Sequence, residues 1–251
     1  MMRLRTAALM LTVLILVVGC SGDGGNDEPP PDPVALITDA ATQIRAVDTF
    51  RMEVRHSGAD YLVSVYLTPT TPADVAFRRA LAQYVADNNQ LQASVNVIAS
   101  GLPMNLDVFS YGPDQWVRLA GTDWVDVDFA PGFDPETLIA DDTGFQAALA
   151  ALTELEYLGL ETLDDGTRTY HLRGIARGPD VTNLLVGLIE AEGLLPVDVY
   201  ISRENGYPVR LVIRQPETIT EDEPVPTTWT IDVFDINAEP ELNPPRVIQD
   251  L

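Results

Sequence analysis

The chain reads as an α+β protein built on an antiparallel sheet of about ten strands. Beyond residue 48 most of it alternates apolar and polar residues with a period of two, as in Phe50, Met52, Val54 and His56 against Arg51, Glu53, Arg55 and Ser57. Short glycine-containing turns separate consecutive runs, which leaves no room for the long crossovers that parallel strands need. Helical spacing is confined to the start of the chain and two insertions.

The first element is an address. Arg3 and Arg5 precede an apolar core from Ala7 to Val18, and small Gly19 stands before Cys20, the only cysteine in 251 residues. This is the pattern of a secretory signal peptide over 1–19. A helix of about a dozen residues reaches roughly 20 Å, short of a ~30 Å hydrocarbon layer, so it is a poor permanent span. Val17-Val18-Gly19-Cys20 resembles a bacterial lipobox, which implies that the Cys20 sulfur receives a diacylglyceryl group and that Cys20 becomes the new N-terminus; the alternative is an ordinary signal peptide with a chance cysteine. Residues 20–33 then form a Gly/Asp/Pro tether with nothing to bury. Lipidation of Cys20 would place the protein outside the cytoplasm, anchored to the cell membrane, and leave residues 34–251, a single domain, without a thiol for disulfide, metal or nucleophile.

Val34, Ile37, Ala41, Ile44 and Val47 predict an amphipathic helix over 34–48. Strands follow at Phe50–His56 and, after a Ser57-Gly58-Ala59-Asp60 turn, at Tyr61–Leu67. Residues 73–90 are open between helix, favoured by their Ala, Leu, Arg and Gln content, and strand, favoured by the flanking meander; the balance tips to strand. Leu91, Ala93, Val95, Val97 and Ala99 share one face of the next strand, and Met104, Leu106 and Val108 return beyond Gly101-Leu102-Pro103. Two short strands carry Trp116 and Val117, then Trp124, Val125 and Val127. A helical insertion spans Asp134–Ile139 and Gly144–Leu152. Strands resume at 156–162 and 168–174 around Asp164-Asp165-Gly166, a helix is predicted over 180–192 with Pro179 at its first position, and Glu204-Asn205-Gly206 joins two more strands. Trp229, Ile231 and Val233 form the last.

The formal charge of −23 becomes −25 without the two signal-peptide arginines, and all 15 basic residues are arginine. A surface this acidic repels nucleic acid, and no nucleic-acid partner is expected.

The order lipobox, tether, helix, Thr49-Phe50-Arg51-Met52-Glu53-Val54 strand and long meander is joined late in the chain by Gly166-Thr167-Arg168-Thr169-Tyr170-His171-Leu172-Arg173-Gly174, Pro196-Val197-Asp198-Val199-Tyr200-Ile201-Ser202, Gly206-Tyr207-Pro208-Val209-Arg210 and Asp235-Ile236-Asn237 ahead of Asn243-Pro244-Pro245. This series is similar to the LppX/LprG-type (LppX_LprAFG) lipoproteins of actinobacteria, related in fold to the LolA and LolB carriers. The resemblance implies a strongly curved antiparallel half-barrel with helices over its concave face. It also implies an apolar cavity that holds the acyl chains of membrane lipids or glycolipids for transport between membrane and envelope. Candidate lining residues are Phe50, Met52, Val54, Val95, Val97, Leu106, Val108, Leu185, Leu188, Val199 and Ile201. From the residues alone, the same rows can instead pack against one another and leave no hollow.

No catalytic signature is present: no Gly-x-Ser-x-Gly elbow, His-Glu-x-x-His, phosphate loop or dinucleotide fingerprint. His56 and His171 read as strand residues, Asp126 and Asp128 as the solvated face of a strand, and Glu221–Glu223 as an exposed loop. Asp164-Asp165-Gly166 reads as a turn, because the ligand-rich loop of an EF-hand is missing. Arg210 and Arg214 read as outward sheet arginines paired with carboxylates, with contact to a lipid phosphate as the alternative. The expectation is a non-enzymatic monomer with no cofactor or metal, a membrane lipid or glycolipid as ligand, and an envelope partner or exporter of unknown identity. The alternative is a surface interaction module with a solid core.

Overall fold

A computed structural model of the chain describes residues 29–68, 71–127, 130, 132–184 and 189–249. The address segment with Cys20, and also Leu185 and Leu188, lie outside them. Helix α1 (Pro33–Arg45) starts where Asp32 accepts a hydrogen bond from the Val34 amide and proline takes the first turn, and it buries Ile37, Ala40, Ala41 and Ile44. Seven strands follow: β1 (Thr49–Ser57), β2 (Leu62–Thr68), β3 (Thr71–Val85), β4 (Gln90–Ala99), β5 (Leu102–Tyr111), β6 (Asp114–Leu119) and β7 (Val125–Asp126). After a 3-10 turn at Pro135–Leu138 come α2 (Gly144–Ala150), β8 (Thr153–Thr162), β9 (Arg168–Arg177), α3 (Gly178–Leu184), β10 (Leu194–Ser202), β11 (Pro208–Gln215), β12 (Thr227–Phe234) and α4 (Arg246–Gln249).

All twelve strands join one antiparallel sheet in the order β7-β6-β5-β4-β3-β1-β12-β11-β10-β9-β8, with β2 attached to β3. Two meanders are thus sewn together where the last strand returns to the first, Met52 opposite Val233 and Val54 opposite Ile231. The sheet does not close; β7 and β8 are its free edges, and it forms a curved half-barrel. Residues 73–90 resolve to strand through β3, because pairing with β1 and β4 over most of its length overrides the helical preference of its alanines.

The turn at Ser57-Gly58-Ala59-Asp60 does not reverse the chain: β1 and β2 run in the same direction along one edge of β3, Arg55 opposite Arg79 and Leu62 opposite Ala76. Both edges of β1 are already taken, by β3 and β12, so the chain jogs sideways instead of folding back. Gly58 makes the jog with φ +87, pressed so close to Pro226 that a Cβ would lie 2.2 Å from its carbonyl oxygen. The helix predicted over 180–192 is shorter. Its described part is Gly178–Leu184, and 189–193 is irregular, tied back by the Gly178 amide to the Gly193 carbonyl and by the Ala191 amide to the Thr182 hydroxyl.

The inner face of the sheet carries the core, with α1 packed on α2 and α2 on α3 above it. The outer face is crossed by the C-terminal tail. Asn237 bridges to Asp48 and Thr49, the Glu241 amide donates to Gln83 and the Asn243 amide to Gln92, and Pro245 is buried.

Candidate functional site

Period-two alternation delivers an inner wall that is almost wholly apolar. Phe50, Met52 and Val54 on β1 stand beside Trp229, Ile231 and Val233 on β12, then Leu211 and Ile213 on β11 and Val197, Val199 and Ile201 on β10, all buried. On the other side of β1 come Ala80, Ala82 and Tyr84 of β3, Leu91, Ala93 and Val97 of β4, and Leu106 and Val108 of β5. Of the candidate lining residues, Phe50, Met52, Val54, Val97, Leu106, Val108, Val199 and Ile201 therefore share one buried cluster, with Val95 partly buried against it.

The wall is not uniform. Under α1 and α2 it is filled by aromatic rings: Phe50 lies 5.1 Å from Tyr84 and edge-on to Phe145 of α2 at 5.9 Å. Burial, with Glu136 and Asp134 nearby, pushes the Tyr84 phenol up to about 12. At the middle of β3 and β4 the residues are small, with Ala82 paired to Ala93 and Ala80 to Val95. Toward β6 the cover thins, and Val95, Met104 and Leu119 remain half-exposed on this face.

The far end of the wall holds a second aromatic group that sequence reasoning did not single out. Trp229, fully buried, touches His56, Tyr61 and Phe77 at centroid distances of 4.9, 5.2 and 5.5 Å. Its indole N–H donates to Gln215, and the Tyr61 hydroxyl accepts from the Glu190 amide. Three of the four residues were visible as members of alternating strands; their convergence depends on the β1–β12 seam, which no local pattern announces. Burial, the largest influence, lowers the His56 pKa below its usual 6.5, against the pull of the Ala59 carbonyl and Asp60. The folded state thus favours neutral His56 more than the unfolded chain does. Stability from this group is complete above about pH 6.5 and declines as the pH falls from there toward the folded pKa. His56→Phe should flatten that part of the stability profile, read as urea midpoints between about pH 7.5 and about pH 5.

The outer face is ionic. Asp232 takes Arg55 and Arg210, and Glu53 takes Arg79. Asp198, only 1% exposed, accepts from Arg173 at 2.8 Å and Arg214 at 2.5 Å, with His171 stacked on Tyr200 beside it. Burial pushes the Asp198 carboxyl up, but the two guanidiniums outweigh it and hold it below the ordinary range. Arg210 and Arg214 are therefore sheet arginines bound to carboxylates on the face away from the core. Asp126 is exposed, as are Asp164-Asp165-Gly166 and Glu221–Glu223; Asp128 lies outside the described residues.

No described helix is long and apolar enough to cross a membrane. No curated protein matches the chain in sequence. Among solved structures it is similar to LprF from Mycobacterium bovis, with a TM-score of 0.62 at 17% identity over 86% of this chain and 98% of that one. LppX from Mycobacterium tuberculosis is similar too, with a TM-score of 0.52 at 20% identity over 85% and 100%. At these identities the likeness establishes the fold. The family described as LppX_LprAFG lipoprotein matches residues 32–238, from the cap of α1 to the end of the β12 seam, and the chain belongs to that family.

Proposed function

We propose that this protein is an extracytoplasmic lipoprotein, anchored to the cell membrane through Cys20, that holds the acyl chains of a lipid or glycolipid between the inner wall and its helical roof and carries them between membrane and envelope without catalysis. The observation that carries the reading is the mismatch of wall and roof. Eleven strands side by side span roughly 50 Å around the curve, at about 4.8 Å per step. Above them α1 is about 20 Å long, and the described parts of α2 and α3 are about 10 Å each. A wall apolar on nearly every strand, with alanines at its middle and half-exposed Val95, Met104 and Leu119 toward one side, suits a hydrocarbon tail. Each methylene that leaves water contributes about 0.8 kcal/mol.

The lining residues in this reading are Phe50, Met52, Val54, Val95, Val97, Leu106, Val108, Val199 and Ile201, with Leu185 and Leu188 proposed from sequence alone. Lipids extracted from protein made in a related host should include acyl lipid at a stoichiometric level. Ala82→Phe, which fills the small-residue region at about 1–3 kcal/mol of overpacking, should lower that content at least several-fold while the protein still folds. Equal lipid in the variant would place the ligand elsewhere, and no lipid in the wild type would remove the reading.

A further inference from the structure

Among the described residues, His56 is the one side chain whose polar atoms are all buried without a hydrogen-bond partner: both Nδ1 and Nε2 lack one. Its neighbours do not share this condition, since the Trp229 N–H is bound to Gln215 and the Tyr61 hydroxyl to the Glu190 amide. The Ala59 carbonyl lies close enough to raise the ring's pKa, but outside hydrogen-bond geometry with either nitrogen. An unmet buried donor and acceptor are costly, and native proteins keep such groups where something else meets them. His56 also stands on the inner face, in phase with Phe50, Met52 and Val54 and opposite Trp229. An imidazole held neutral by burial offers one N–H donor and one bare nitrogen acceptor at neutral pH.

We infer that His56 is the polar anchor of the acyl-binding wall, donating a hydrogen bond to a carbonyl oxygen of the bound lipid's ester group, with Trp229 and Phe77 flanking the first part of the chain. This rests on the carrier reading above and adds to it the chemical class of the ligand: an ester-linked, uncharged acyl group in preference to a bare hydrocarbon or an ether. The nearby charges, Arg78 and Asp60, are paired with each other at 2.7 Å, so a charged headgroup at this point would find its charge set against Trp229 and the rings packed on it.

The test offers the full chain two probes of equal length, methyl palmitate and hexadecyl methyl ether, which lacks the carbonyl, and measures competitive uptake by mass spectrometry. The wild type should prefer the ester by about three- to tenfold, the value of one hydrogen bond in a buried site. His56→Phe should take up both probes equally, and His56→Gln, which keeps an N–H donor, should retain part of the preference. As a check that needs no variant, the imidazole nitrogen resonances of His56 should shift with the ester and not with the ether. An unchanged preference in His56→Phe, or resonances indifferent to the ester, overturns the assignment while the carrier reading stands. Uptake of neither probe by the wild type overturns both.

Discussion

Replacing Arg173 and Arg214 together by methionine is expected to destabilise the protein by about 3–5 kcal/mol, more than replacing Asp198 by asparagine. The asymmetry follows from where the charges sit. Asp198 is 1% exposed, while the side chains of Arg173 and Arg214 are 48% and 37% exposed. Without the two guanidiniums the carboxylate keeps only His171, 3.3 Å away, against its charge, whereas either arginine can swing into solvent once the carboxylate is gone. The single arginine variants should each cost less than half of the double change, because the remaining guanidinium still satisfies one oxygen. Urea denaturation at neutral pH gives the comparison. The pH dependence supplies a second reading of the same cluster: a carboxyl held below its usual range stabilises the fold above that range, and the contribution disappears as the pH falls through the lowered pKa. Asp198→Asn should remove that acid-side slope and leave the slope near pH 6.5 assigned to His56 in place.

The second large effect is expected at Gly144. It opens α2 with φ +63, and a Cβ there would lie 2.1 Å from the Leu138 carbonyl oxygen and 2.4 Å from that of Thr137. Neither contact is with a flexible side chain, so the 3-10 turn at Pro135–Leu138 or the helix must move. Gly144→Ala should therefore cost about 3 kcal/mol or more, above the usual penalty for a left-handed residue alone. The damage should spread to the roof, because the next residue, Phe145, is fully buried edge-on to Phe50. Gly166→Ala is the matched control: it also has positive φ, at +88, but its Cβ would meet nothing within 4 Å, so it should cost only the backbone strain. If both changes cost the same, the tight fit beneath α2 is wrong.

Much of the sheet was legible from alternation alone. Trp229, Ile231 and Val233 could be assigned to one face without knowing their neighbours, and so could Val197, Val199 and Ile201. Wherever several elements compete for the same edge, the sequence is silent. Ser57-Gly58-Ala59-Asp60 has the composition of a turn whether the chain reverses or jogs, and only the return of β12 from more than 150 residues away decides between them. The alanines of β3 mislead for the opposite reason. Small residues are good helix formers, yet Ala80 and Ala82 are held in a strand by pairing with Val54 and Met52 on one side and Val95 and Ala93 on the other, which no propensity records. Outward polar positions were recognisable as such, but not their pairing: nothing local separates Asp198, enclosed between two arginines, from exposed Asp126. The interior histidine was placed correctly on its strand, but the lack of partners for its ring nitrogens depends on Trp229, Tyr61 and the 189–191 segment, which come from three different parts of the chain.

The most direct test of the account is the intact mass of the folded protein, purified from a related host and sprayed under non-denaturing conditions. The predicted result is a population heavier than the polypeptide by one lipid. Organic solvent should release that excess from the protein, whereas a lipid joined covalently at Cys20 would remain. A folded protein that shows only the covalent mass, and that gains none after incubation with acyl lipid, would mean that the wall and roof close on themselves and that the protein carries nothing.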